Sequence, residues 1–309
     1  MTAFPETVER VGIVGAGVIG ASWASLFLAA GKEVALFDPA ANAEADTRRY
    51  IETAWPNLMQ LGLVKAGAAP ERISFAGDVA DAVAAAQFVQ ESVPERLDVK
   101  HGIYGQIEAA LPPDAVVATS SSGLLLSHLQ DSWRDPSRII LGHPFNPPHL
   151  VPLVELLGNE RTVPGDFAQA FYEGWGKVTI RVNKEVPGHV ANRLQAALWR
   201  EAIDLVLQGV ASVEDVDKAV TAGPGLRWSV MGPHMLFSLG SGGAGMEGFC
   251  ARYGESFHRW WDSMNAPRLD GEAGRVLSAG IVEEERGRSF AELAAERDRK
   301  LIAAQRALS

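Results

Sequence analysis

The segment "GHPFNPPHLVPLVE", residues 142–155, carries His143 and, twelve positions later, Glu155. Histidine titrates nearest neutral pH, so it is the usual base for taking a proton from a hydroxyl. A carboxylate bonded to the far ring nitrogen fixes the tautomer and stabilises the imidazolium that forms. Pro144, Pro147, Pro148 and Pro152 stiffen the backbone between the two, which lowers the cost of returning the acid to the ring in one geometry. The other reading is a proline-rich surface loop with a solvated histidine, and these residues alone leave both open. A second chemical signal lies near the start. "VGIVGAGVIG" sets Gly15, Gly17 and Gly20 in G-x-G-x-x-G spacing. Such glycines give a tight turn, close approach to a pyrophosphate and close helix–strand packing. Val18 and Ile19, between them, open a helix whose backbone N–H groups suit phosphates. Asp38 ends the next strand, eighteen residues past Gly20, where a carboxylate can accept from ribose hydroxyls. Its charge would repel a 2′-phosphate, and no arginine or lysine occurs in "DPAANAEAD". The cofactor expected is NAD rather than NADP. The alternative is an α/β domain that binds no nucleotide.

These residues need elements to hold them. "RVGIVGAG" (10–17) reads as strand then turn, and "VIGASWASLFLAAG" (18–31) as a helix closed by Gly31. Further strands are expected at "EVALFD" (33–38), "RISFAG" (72–77), "AQFVQES" (86–92), "DAVVATS" (114–120), "RIILGH" (138–143), "LVPLVELLG" (150–158) and "GKVTIRVN" (176–183). The long helical stretch after Asp38 is expected to break at Trp55–Pro56. Strands separated by helical stretches imply a mainly parallel sheet with helices on both faces, and His143 then falls at a strand end, where ligands of such sheets gather. After "EVPGHV" (185–190) strand signals nearly vanish. "HVANRLQAALWREAIDLVLQG" (189–209) has helical spacing, Ser212 with Asp215 marks a helix start, and Ser289 with Glu292 forms a capping box before the last helix. "GSGGAG" (240–245) reads as a loop. The fold class expected is α/β: an N-terminal Rossmann-type, doubly wound domain at 1–187, followed by an all-α C-terminal domain at 188–309.

Composition narrows the rest. With 309 residues the chain is long enough for two domains, and its net charge of −10 disfavours nucleic acid and anionic membrane as partners. "ASLFLAA" (24–30) is far too short to span a bilayer, and "MTAFPETVER" lacks the parts of a signal peptide. Cys250 is the single cysteine, so an internal disulfide and a cysteine metal cluster are excluded; it is expected to be a small core residue in a cytoplasmic protein without metal.

The chain resembles the 3-hydroxyacyl-CoA dehydrogenase superfamily over almost its whole length. The nearer likeness is to the branch holding lambda-crystallin (L-gulonate 3-dehydrogenase) and L-carnitine dehydrogenase. It is carried by "GAGVIGASWA", "QESVPERLDVK", "TSSSGLLLS", "GHPFNPPHLVPLVE", "NRLQAALWREA" and "GLRWSVMGP", in that order. The resemblance implies His143 as catalytic base, Glu155 as its partner, and Asn192 and Ser122 on the substrate oxygen. Ser120 and Ser121 adjoin Ser122, so that registration could slip by one. It also implies Asn146 near the nicotinamide, and Glu95 and Lys100 on the cofactor side of the helix after the fourth strand. Where the CoA-using enzymes resemble "GAGYPMGP", this chain has "GPGLRWSVMGP" (223–233), which brings Arg227. An arginine fork suits a free carboxylate and a thioester offers none, so a small L-3-hydroxy acid of carnitine or gulonate type is expected, with Arg227 and Trp228 binding it. Trp228, Trp260 and Trp261 could box a quaternary ammonium, or anchor core or interface. A homodimer through the helical domain is expected from the family, and exposed Trp199, Leu236, Phe237 and Trp260 would suit one. A true 3-hydroxyacyl-CoA dehydrogenase and a non-catalytic, crystallin-like protein remain the competing readings.

Overall fold

The computed structural model describes residues 7–162 and 165–308. Its sheet has eight strands: β1 (Arg10–Val14), β2 (Glu33–Phe37), β3 (Ile73–Phe75), β4 (Phe88–Glu91), β5 (Val116–Thr119), β6 (Ile139–Pro144), β7 (Leu153–Leu157) and β8 (Val178–Arg181). Each lies within a segment read as a strand from its β-branched run, except that β6 runs one residue further, to Pro144. The order is β3-β2-β1-β4-β5-β6-β7-β8. All neighbouring pairs are parallel except β6 and β7. Helices α1 (Val18–Ala29), α2 (Ala43–Gln60), α3 (Val79–Val83), α4 (Leu97–Ala110), α5 (Leu126–Gln130) and α6 (Gly165–Glu173) make the connections. Strand order reverses at β1 and β4, the switch point where doubly wound sheets open a ligand crevice.

Apolar side chains fill both faces of this sheet. Trp23 and Phe27 of α1 stack at 5.3 Å and meet Phe88, Phe171 and Tyr172. On the other face Val83, Val89, Tyr104, Ile107, Val117 and Leu129 form a second cluster. Helix α2 does not break at Pro56, contrary to expectation; it runs through it. Pro56 and Glu52 are exposed, so water can serve the carbonyl that loses its partner, while buried Ile51, Ala54 and Leu58 hold the helix on the core.

Past β8 the described residues are helical: α7 (Ala191–Leu207), α8 (Val213–Ala222), α9 (Pro224–Val230), α10 (Pro233–Leu239), α11 (Gly245–Ser263), α12 (Gly271–Glu285) and α13 (Phe290–Leu308). Ser212 caps α8 through the Asp215 N–H, and Ser289 and Glu292 exchange bonds as a capping box. Contacts divide the chain into two compact units, one reaching Asn192 and including Arg297–Ala307, the other Arg193–Glu296. The last helix returns contacts to the first unit. Gln305 donates to the Leu150 carbonyl at 2.7 Å and Asn57 to Asp298 at 3.5 Å. Within the second unit Val213 and Val216 are buried, and Gly280 lets α12 lie against Val213. Asp204, buried there, accepts from Gln208 and Asn265. Cys250 is exposed on α11, which corrects its reading as a core residue; few residues of this unit are buried at all. No described helix is long and apolar enough to cross a membrane.

Candidate active site

The glycine turn after β1 is shaped as its spacing implied. Gly15 has φ +99°, and a Cβ there would come within 2.6 Å of the Ser92 backbone beyond β4. A Cβ at Gly20 would overlap the Gly15 carbonyl. Gly17 has open space where a side chain would stand. It is the N-cap of α1, and no side chain caps that terminus. The first-turn N–H groups, from Val18 and Ile19 on, therefore suit an anion. Asp38 accepts from Ala16 N–H at 2.7 Å and from Ala40 N–H at 2.9 Å. Its carboxylate organises the turn, and each oxygen keeps a lone pair for a ribose hydroxyl. The cradle fits a dinucleotide with a free 2′-hydroxyl.

Glu95 stands in the turn before α4, not on the helix. Its Oε1 accepts from Ser121 Oγ at 2.6 Å and from the N–H groups of Ser122, Gly123 and Leu124 at 3.0, 2.8 and 3.1 Å. Burial raises its pKa, but the Ser121 and Gly123 bonds and the Lys100 charge outweigh it, so the net direction is down. Lys100 is sealed beneath. Its ammonium bonds both Glu91 oxygens, at 2.8 and 3.1 Å, and lies 3.8 Å from Glu95. Placed on the cofactor side by the resemblance, Lys100 instead lies under the serine loop and fixes its carboxylates.

That loop separates the three serines. Ser120 Oγ is bonded to Gln90 and Ser92, each at 2.9 Å, and Ser121 Oγ to Glu95. Ser122 is half-buried, and its hydroxyl has no partner among the described residues. Of the three, Ser122 is the hydroxyl left for a ligand.

His143 and Glu155 meet. The antiparallel pairing of β6 and β7 sets them directly opposite, and His143 Nδ1 lies 2.8 Å from Glu155 Oε2. Both are buried. The solvated-loop reading is excluded, and a β ladder makes the return. Glu155 Oε1 accepts from Val190 and Ala191 N–H, each at 2.9 Å, at the start of α7. Burial raises the Glu155 pKa, but the His143 bond and the two backbone bonds more than offset it, and the carboxyl is held below its ordinary value. An ionised Glu155 can only accept, so Nδ1 carries the hydrogen and Nε2 holds the lone pair. The arrangement can take a proton at Nε2 and stabilise the cation formed.

Asn146 is exposed two residues past the end of β6, before a cis bond to Pro147. Asn192, half-buried, follows the α7 N–H groups that bind Glu155. Arg227 and Trp228 lie on α9 in the second unit, both exposed. Trp260 and Trp261 are 54% and 59% exposed on α11, with Phe257 against both. Sequence reading missed His189. Its ring centroid lies 5.4 Å from that of His143, and its Nε2 lies 3.3 Å from the Ser121 carbonyl. The available signal was slight: a histidine after a Pro-Gly turn, in front of a helix.

Residues 10–186 match the family described as "3-hydroxyacyl-CoA dehydrogenase, NAD binding domain", and residues 188–283 its C-terminal domain. The chain belongs to the 3-hydroxyacyl-CoA dehydrogenase family and is an NAD-dependent dehydrogenase. It is 49% identical over 305 residues to an L-carnitine dehydrogenase of Streptomyces coelicolor, covering 98% of this chain and 96% of that one. To an L-carnitine dehydrogenase of Pseudomonas aeruginosa it is 42% identical over 303 residues, covering 97% and 94%. Among solved structures, an NAD+-dependent dismutase, 5-formyl-3-hydroxy-2-methylpyridine 4-carboxylic acid 5-dehydrogenase, is similar with TM-score 0.81 at 30% identity. That match covers 98% of this chain and 99% of that one.

Proposed function

We propose that this chain oxidises the hydroxyl of L-carnitine, or of a closely similar free L-3-hydroxy acid, to the 3-oxo acid. The reaction is NAD-dependent oxidation of a hydroxy acid. The single observation that carries the chemistry is the buried His143–Glu155 pair at 2.8 Å. The substrate reading is supported by the names of the relatives at 40–49% identity and by Arg227. Bound NAD would supply the hydride acceptor for the carbinol carbon. His143 Nε2 takes the hydroxyl proton, and Glu155 stabilises the imidazolium through Nδ1–H. Ser122 Oγ and the Asn192 amide hold the substrate oxygen. Gly15, Gly17, Val18, Ile19, Gly20 and Asp38 hold the cofactor, with Asn146 near its nicotinamide and Glu95 on the cofactor side at the serine loop; Lys100, sealed beneath Glu91 and Glu95, supports that loop rather than touching the cofactor. Arg227 forks onto the free carboxylate. Trp228 faces the trimethylammonium by cation–π attraction, and Trp260 and Trp261 are aromatic candidates for the same role.

Residues 1–187 serve as the cofactor domain and 188–309 as the substrate and dimerisation domain. Exposed Leu194, Leu198, Trp199, Val276, Ile281 and Val282 support a homodimer through the second domain. NAD dependence supports work in the cytoplasm.

The deciding experiment is a panel of L-carnitine, L-gulonate and L-3-hydroxybutyrate with NAD at alkaline pH, with acetoacetyl-CoA and NADH as the reverse control. Carnitine should give the highest kcat/KM. Preference for the CoA thioester would return the chain to the acyl-CoA reading. Absence of turnover on every compound would favour a non-catalytic role.

A further inference from the structure

His189 occupies a junction that the mechanism above leaves unused. Three parts of the site meet at it. Its Nε2 lies 3.3 Å from the carbonyl of Ser121, next to Ser122. Its ring centroid lies 5.4 Å from that of His143, tilted by 54°. The two N–H groups that follow it in the chain, from Val190 and Ala191, both end on Glu155. Its backbone is left-handed, with φ +49°, an uncommon state for a residue with a side chain that persists only where surroundings enforce it. That turn follows Gly188, also at positive φ, and directs the next two N–H groups at the carboxylate.

A carbonyl only accepts, so Nε2 carries the hydrogen. Nδ1 is then the lone-pair nitrogen, and it is buried with no partner among the described residues. A proton there would have no acceptor. The titratable groups facing this ring are His143 from β6, Glu155 from β7 and Glu95 from the turn before α4. Burial, foremost, lowers its pKa, and His143 adds to that; the Ser121 bond and the two carboxylates act the other way without reversing it.

We propose that His189 is a positioning residue that holds the serine loop and the His143–Glu155 pair in register with each other. It does so as a neutral imidazole. When His143 takes the substrate proton, its neighbour adds no second charge to oppose it. This deepens the proposed function and rests on His143 as the base. That premise has its own test, because His143→Ala should abolish turnover whatever stands at position 189.

Two variants separate positioning from bulk. His189→Phe keeps a ring beside His143 and loses the donor to Ser121. His189→Asn keeps an N–H donor and a residue type that tolerates left-handed backbone. The Phe variant should lose about tenfold or more in kcat, since misplacing reacting groups by about 1 Å can cost on the order of 10²-fold. Its NADH affinity by fluorescence should stay within about twofold of the parent chain, and the Asn variant should recover part of the lost kcat. Parental kcat in the Phe variant, or an Asn variant no better than Phe, overturns the proposal. Ring-nitrogen NMR of the unaltered protein decides even if the Phe variant fails to fold. It should show an imidazole, assigned to His189 by its absence from the Asn variant, that stays neutral with hydrogen on Nε2 below the pH at which an ordinary histidine protonates. Protonation of that ring near the ordinary histidine value would overturn it as well.

Discussion

At the scale of the residue, the chemistry depends on which nitrogen of His143 holds the hydrogen. Glu155 decides that, and the backbone N–H groups of Val190 and Ala191 keep Glu155 ionised and fixed. Glu155→Gln presents an amide that can turn an N–H toward Nδ1 and invert the tautomer. It should cost on the order of 10²-fold or more in kcat with little change in KM, read by steady-state kinetics. In the proposed function Arg227 serves binding rather than chemistry. Arg227→Met should raise KM for the hydroxy acid by about tenfold or more while kcat changes less, since a lost charge-assisted fork acts alike on ground and transition states. An unchanged KM would remove Arg227 from the site. His143 and Glu155 were readable as candidates from the segment, which left a solvated loop equally open, because few other residue pairs do this work. His189 was not, because a histidine ahead of a helix has no signature until a carbonyl and another ring are found beside it.

At the scale of the element, the glycine turn and α1 make a rigid phosphate cradle, and two glycines separate its two duties. Gly17 has open space around its missing side chain, whereas a Cβ at Gly20 would overlap Gly15. Gly17→Ala should therefore keep the parental melting temperature yet weaken NADH by about tenfold, by filling room a phosphate needs. Gly20→Ala should lower the melting temperature too, because strand and helix must part. Equal thermal behaviour of the two variants would contradict this division. The strand–turn–helix unit was legible because its glycines and its apolar run agree at every level. The passage of α2 through Pro56 was not. Proline speaks against a helix interior locally, and only burial of Ile51, Ala54 and Leu58 on the core shows why the helix survives.

At the scale of the whole molecule, two buried bases set how stability varies with pH. Burial lowers His149 from 6.5 to about 4 and Lys177 from 10.5 to about 7. Lys177 donates to the carbonyls of Pro148 and Val151, and Ser22 holds His149, so both grip the connection between His143 and Glu155. Each binds its proton less tightly folded than unfolded. Stability should therefore rise with pH between about 4 and 6.5 through His149, and between about 7 and 10.5 through Lys177. Urea midpoints across that range test it: Lys177→Gln should flatten the slope above about pH 7, and a slope unchanged by the substitution would reject the assignment. Sedimentation at micromolar concentration should give twice the mass of one chain, and a monomer would leave the apolar surface of the second unit without its proposed partner. By itself the amino-acid sequence determined the segments of the eight strands and the glycine turn with its NAD preference, and it singled out His143 and Glu155 as the candidate base and acid. These follow from local period, from glycine's conformational range and from the few residue types able to do the chemistry. Tertiary structure alone decided that Glu155 faces His143 across an antiparallel ladder, that Ser122 keeps the free hydroxyl, that Lys100 is sealed under Glu91 and Glu95, and that residues 297–307 rejoin the first unit. Each depends on side-chain contacts made between different elements, and local pattern carries no record of which partner across the fold a side chain will meet.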